Sequence, residues 1–189
     1  MRTLKWLLII IVIIFVYCLF LSLQPVRFNI WYPTIQGYPD NNKEIKLVNE
    51  YIAKRTSNDI QFFKLTDPNP LNAFQHKISE SQFRKLNKLI ISPFIIMRIM
   101  YYKILYNRAR PSQVALDIDY LDSETANTAS YPSGHAFQAY YAAKILSQWE
   151  PARKKEWMDI AERVANIRII AGLHYPSDRE FARQLVADL

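Results

Sequence analysis

The chain has 189 residues, half of them hydrophobic and 14% aromatic, with 24 Lys and Arg against 17 Asp and Glu for a net charge of +7. That length holds one domain, and the apolar content excludes a disordered chain, because enough surface can be buried to offset the ordering entropy. One cysteine excludes a disulfide framework within the chain and any multi-thiolate metal site, and the three glycines form no Gly-rich nucleotide loop.

From the N-terminus, residues 6–23 are almost without polar character. As a helix they span about 27 Å, close to the roughly 30 Å hydrocarbon core of a bilayer. Residues 1–27 are therefore expected to form an N-terminal membrane anchor or signal segment, ahead of one domain over residues 28–189. Leu21-Ser22-Leu23 lacks the small-residue pattern of a cleavage site, so length and flanks favour an uncleaved anchor over a cleaved signal. Arg2, Lys5 and the terminal amine precede the span, and Arg27 is the only cation in the 15 residues after it. The N-terminus is expected in the cytoplasm and the domain outside it, periplasmic or secreted if the segment is cut. Cys18 reads as a small hydrophobe within the span. Without residues 1–27 the balance is 21 cations to 17 anions over 162 residues. That is too mild for a duplex binder, and no nucleic-acid partner is expected.

Residues 24–42, with three prolines and one glycine, read as a linker and surface strap. Apolar residues at helical spacing predict a helix over residues 44–55, and Thr66-Asp67-Pro68-Asn69-Pro70 is a break. Residues 59–63 are the single strand candidate. Ser79 and Gln82 form a capping box that opens a helix over residues 79–88. Residues 89–106 are strongly apolar but contain Pro93, Arg98 and Lys103, whose burial in lipid would cost a few kcal/mol per charge. They are expected to form a core helix kinked at Pro93. Further helices are predicted over residues 134–148, 157–171 and 177–189, for an all-α fold.

Three patterns occur in order: Lys103-x6-Arg110-Pro111, Tyr131-Pro132-Ser133-Gly134-His135, and Arg168-x5-His174-x3-Asp178. Each suits one part of a phosphoryl-transfer site. A spacing of seven places Lys103 and Arg110 on one face of a helix that Pro111 ends. Ser133 and Gly134 precede a helical run, where free backbone N–H groups and the helix dipole favour an anion. His135 stands at that helix mouth, able to give a proton to a leaving alkoxide. His174 has the attributes of a nucleophile, and Asp178 can orient it through the other ring nitrogen. Pro176 is expected to open the last helix, with Arg168 closing the one before it and supplying a third cation. His76 has no such partners and reads as structural or exposed. Tyr101, Tyr102, Tyr106, Tyr131 and Tyr175 fit either an aromatic rim for substrate or packing.

These motifs resemble the type 2 phosphatidic acid phosphatase and vanadium haloperoxidase superfamily, in the style of the bacterial class A acid phosphatases. The resemblance spans Lys103 to Asp178 and implies an all-α helical bundle with a metal-independent, two-step phosphatase mechanism. It implies that His174 attacks phosphorus to form a phosphohistidine, that Asp178 orients it, and that His135 protonates the leaving group and then activates water. It implies that Lys103, Arg110, Ser133, Gly134 and Arg168 bind the phosphoryl oxygens. Ala136 and Ile167 depart from the threonine and serine common at those positions, which bears on subfamily more than on reaction. The expected partners are a phosphorylated small molecule or lipid phosphate, and the membrane through residues 6–23. No cofactor is expected, and vanadate should inhibit. The competing readings are a vanadium-dependent haloperoxidase, with vanadate as cofactor, and a non-catalytic membrane-anchored binding protein. Two histidines in complementary protonation states suggest a bell-shaped pH profile.

Overall fold

The computed structural model describes the backbone of residues 2–23 and all of residues 37–189, with side chains of the first helix described over residues 5–17. Arg27, most of the expected linker and the Cys18 side chain lie outside the described residues. The helices in chain order are α1 (Arg2–Leu23), α2 (Asn41–Ala53), α3 (Ser57–Thr66), α4 (Glu80–Ile90), α5 (Pro93–Tyr106), α6 (Pro111–Val114), α7 (Gly134–Trp149), α8 (Lys154–Ile170) and α9 (Pro176–Ala187). Short 3₁₀ turns lie at Pro70–Ala73, Gln75–Lys77 and Pro151–Arg153, and no strand occurs among the described residues.

Helix α7 is the axis of the bundle, packed along α8, against α9, and covered elsewhere by α4 and the Pro70–Ala73 turn. Its inner face carries Ala136, Ala139, Ala142 and Ala143, all fully buried, and the small side chains let α8 approach closely with Ala161, Val164 and Ala165. Trp157, Phe74, Phe137 and Leu146 fill the remaining space of this core. Helices α2 and α3 flank α8 from outside. Val48 of α2 joins Ile169 and Tyr175, and Phe63 of α3 joins Ile167, Ala171 and Leu173. Both satellite clusters thus grip the segment that carries His174.

Local chemistry sets the boundaries. Asp40 caps α2 by accepting from the Lys43 N–H, and Ser79 and Gln82 form the expected capping box of α4. Thr56 and Asp59 form a second such box, which starts a helix where residues 59–63 had suggested a strand. A cap is worth about 1 kcal/mol, and burial of Phe63 against α8 reinforces the helix.

The apolar run at 89–106 is two helices rather than one kinked helix. Pro93 occupies the first turn of α5, where its missing N–H costs nothing, and α4 is bent by 44° from the stretch Pro93–Val114 that α5 begins. Only one face of α5 enters the core, through Ile95, Ile99 and Lys103, while Phe94, Met97 and Tyr101 are exposed. Helix α1 runs beside α5, and every described side chain from Trp6 to Tyr17 is exposed. Among the described residues no single helix is long and apolar enough to cross a membrane, although α4 with the residues from Pro93 onward passes by length and composition as a bent pair.

Candidate active site

Three helix ends converge. At the end of α8, Gly172 adopts φ +74°, and a Cβ there would meet Tyr120 Cα and Cβ at 3.0 Å. This turn carries the chain from Arg168, in the last turn of α8, to His174 in the loop before α9. Pro176 opens α9, and Asp178 in its first turn accepts from the Tyr175 N–H at 2.9 Å. The Ser133 N–H, at the start of α7, donates to the Asp178 carbonyl at 3.1 Å and locks α7 to α9. Ser133 caps α7, with its Oγ 3.4 Å from the Ala136 N–H. A Cβ on Gly134 would make only ordinary contacts, 3.8 Å to Ile99 and 3.9 Å to Lys103. The fold itself therefore does not demand glycine there.

His174 is buried, its Nδ1 lies 3.0 Å from Asp178 Oδ2, and Arg110 Nη1 lies 3.3 Å from its Nε2. Arginine has no acceptor, so Nε2 accepts and the ring proton sits on Nδ1, facing the carboxylate. That tautomer leaves the lone pair of a nucleophile on Nε2. Burial, then the charges of Arg110 and Lys103, hold the His174 pKa well below its ordinary value, so the ring is neutral. Burial raises the Asp178 carboxyl, against which Arg108 and the donors Ser130 and Tyr175 N–H pull it down. Groups that all donate toward it fit the ionised carboxylate.

Lys103 and Arg110 reach the site from different elements. Helix α5 stops at Tyr106 because Asn107 takes the left-handed conformation, φ 40°, and Arg110 precedes Pro111 at the start of α6. The expectation that both cations share a helix face is thus corrected, yet both side chains still meet the dyad. Lys103 Nζ donates to the Ala129 carbonyl, and Arg110 donates to the carbonyls of Thr128 and Leu173. Burial lowers both, Lys103 well below its usual range and Arg110 to about 10, each with help from a neighbouring cation. Arg168 is buried, with Nη1 2.6 Å from Asp67 Oδ1 and Nη2 near the hydroxyls of Ser123 and Thr125. Its Nε is buried without a partner.

His135 lies at the α7 start as expected, its Nε2 2.8 Å from the Asp67 carbonyl. A carbonyl only accepts, so this nitrogen carries the proton. Burial, then Arg168, press its pKa down to about 3. Burial and the surrounding cations thus push both histidines toward the neutral form, where complementary states were anticipated from sequence.

Four residues outside the predicted set belong to this constellation. Arg108 bonds Asp178, Glu44 bonds Arg108, Ser130 donates to Asp178, and Asp67 holds Arg168 and His135. Arg108 and Ser130 sit within or beside the motifs. Glu44 and Asp67 lie far upstream with no local pattern, and only tertiary packing brings them in. Counted as formal charges, Lys103, Arg108, Arg110 and Arg168 against Glu44, Asp67 and Asp178 leave one positive charge in excess. Of the tyrosines, Tyr131 and Tyr175 are buried, Tyr106 packs edge-on against Tyr131, and Phe181 stacks on Tyr131. Tyr101 is exposed, and so is His76. Among the described residues no three His, Cys, Asp or Glu side chains gather as a metal site.

A cleft of about 320 Å³ opens beside Gly134 and His135, with Ile90, Ile91, Ile96 and Ile99 on its wall. A second, of about 650 Å³, is lined by Asp67, Asp122, Ser123, Glu124, Thr125 and Lys64. Thr125 lines both.

A family model described as the PAP2 superfamily matches residues 85–183, just over half of the chain. Among solved structures, the crystal structure of Aquifex aeolicus LpxE is similar, with a TM-score of 0.57 and 20% identity over 82% of this chain and 94% of that one. Likeness at that identity is likeness of fold. No curated protein matches the chain.

Proposed function

The chain belongs to the PAP2 superfamily, and on that premise we propose that it is a metal-independent phosphatase working through a phosphohistidine. The observation that carries this reading is the buried His174, with Nδ1 3.0 Å from Asp178 Oδ2 and Nε2 3.3 Å from Arg110 Nη1, in the field of Lys103 and Arg168. His174 Nε2 attacks phosphorus as the bond to the leaving oxygen breaks; His135, made an imidazolium by a proton taken up with the bound dianion, gives its Nδ1 proton to that oxygen and returns to the neutral ring. Water, deprotonated by His135, then attacks the phosphohistidine and releases inorganic phosphate. The three cations, the Ser133 hydroxyl and the Gly134 N–H stabilise the phosphoryl oxygens. The unpartnered Arg168 Nε and the surplus positive charge both suit a phosphate dianion. That dianion also raises the pKa of His135 when bound, which readies it as an acid.

A lipid phosphate is the favoured substrate class. The isoleucine-lined cleft beside His135 can take an apolar chain, and the exposed apolar residues of α5 beside α1 suit a bilayer surface. Residues 6–23 then anchor the protein with the domain outside the cytoplasm. The test uses the full chain in detergent with a chelator present, comparing phosphatidic acid, soluble phosphomonoesters, nucleotides and pyrophosphate. Hydrolysis inhibited by vanadate is expected, with loss of at least about 1000-fold in kcat for His174→Ala. Wild-type turnover in that variant would overturn the assignment.

A further inference from the structure

We propose that Arg108, clamped by Glu44, is a positioning residue that holds Asp178 so as to keep the nucleophilic lone pair on His174 Nε2. The inference rests on the phosphatase reading above. Arg108 and Arg110 are two residues apart in the stretch after Asn107, and they reach opposite ends of one dyad. Arg110 meets His174 Nε2, whereas Arg108 Nη1 meets Asp178 Oδ1 at 2.7 Å.

All five N–H groups of Arg108 have partners within the protein. Nε donates to Asn41 Oδ1 at 2.9 Å, Nη1 to Asp178 and to Ser177 Oγ at 2.6 Å, and Nη2 to Glu44 Oε2 at 2.7 Å and the Pro39 carbonyl at 3.3 Å. Its guanidinium carbon lies 3.8 Å from the Tyr175 ring centre and 4.7 Å from that of Tyr38. The side chain is fully buried. With no donor left over, it does not bind phosphate, in contrast to Arg168. Its charge acts on the far oxygen of the carboxylate that faces His174 Nδ1. Glu44 is anchored in turn by the Ser177 N–H at 3.0 Å and the Ser177 hydroxyl. It lies on α2, upstream of the residues the family model matches.

The groups facing the His174–Asp178 pair are Lys103 from α5, Arg110 and Ser130 from the loops, His135 from α7, Arg168 from α8 and Tyr175 beside it, with Arg108 and Glu44 behind Asp178. Removing the Arg108 cation makes either member of that pair more basic. Removing the Glu44 anion makes it less basic. The acid limb of kcat/KM should therefore move upward in Arg108→Gln, by about one pH unit with about a tenfold loss at any pH below the wild-type limb, and downward in Glu44→Gln. Arg108→Lys, which keeps the charge, should return the limb toward the wild-type position.

The experiment is a set of pH–rate profiles of full-length protein in detergent with p-nitrophenyl phosphate, each variant being checked for fold by circular dichroism. Opposite displacements in the two charge-removing variants support the proposal. Folded variants with reduced stability and unmoved limbs overturn it, and leave Arg108 as a tie between α2 and the core. Should Arg108→Gln not fold, Glu44→Gln decides alone: a downward limb supports, an unmoved or raised one overturns. Wild-type protein that hydrolyses none of the phosphate substrates would instead overturn the phosphatase reading itself.

Discussion

Arg108 and Arg168 are both buried arginines at one site, and they are furnished in opposite ways. Arg108 has a protein partner for each N–H and stands behind a dyad that is itself buried. Arg168 hangs from Asp67, whose side chain is 15% exposed, and from two hydroxyls, and its Nε is unpartnered. An orphaned buried donor costs about 1–3 kcal/mol unless a ligand or water meets it. The nucleophile end can be completed before substrate arrives, since His174 only needs its tautomer and direction fixed. The phosphate end must hold donors in reserve, because they serve charge that comes with the ligand.

The difference between the two ends is tested most strongly at His135, which belongs to the unfinished one. His135→Asn should lower kcat/KM, which reports the first step alone, by about 100-fold on an alkyl phosphomonoester and far less on p-nitrophenyl phosphate, because nitrophenolate leaves without a proton. Steady-state rates across leaving groups of graded basicity measure this. Equal losses on all of them would remove His135 from proton transfer to the leaving group. Asp67→Asn is the milder version. It deletes the anion that raises His135 and steadies Arg168, and it retains the backbone carbonyl that meets His135 Nε2. His135 then becomes still harder to protonate, so the alkaline limb should move to lower pH, with a loss of about tenfold at pH 7 and a larger loss on alkyl esters. A limb that moves upward would contradict the geometry.

How much of this was legible beforehand divides along the same line. The motif residues His174, Asp178, Ser133 and Arg168 fall where periodicity, Pro176 and the Ser133 cap put them, since each depends on a local rule. The shared helix face of Lys103 and Arg110 did not survive, because a left-handed Asn107 ends α5 earlier than Pro111 alone implied. Residues 59–63, the single strand candidate of an all-α prediction, are helical because a Thr56–Asp59 capping box starts α3 and Phe63 is buried on α8. Glu44 and Asp67 carry no local signature at all. Each is one acid near a helix end, and its importance comes from chain reversals that bring it 64 residues to Arg108 or 101 residues to Arg168.

The smallest effect should come from the wall of the cleft, where the comparison turns from charge to shape. Ile96 is at the margin of exposure and lines the 320 Å³ cleft together with His135. Ile96→Ser removes about 1 kcal/mol of apolar contact if an acyl chain lies there, which corresponds to a KM about fivefold higher for a long-chain phosphatidic acid. A soluble ester has no chain to lose, so its kcat and KM should hold. The ratio of the two substrates is therefore the measurement, and it is insensitive to any general loosening of the fold. An equal change on both would move the apolar part of the substrate out of this cleft and toward the exposed face of α5, leaving the phosphate chemistry untouched.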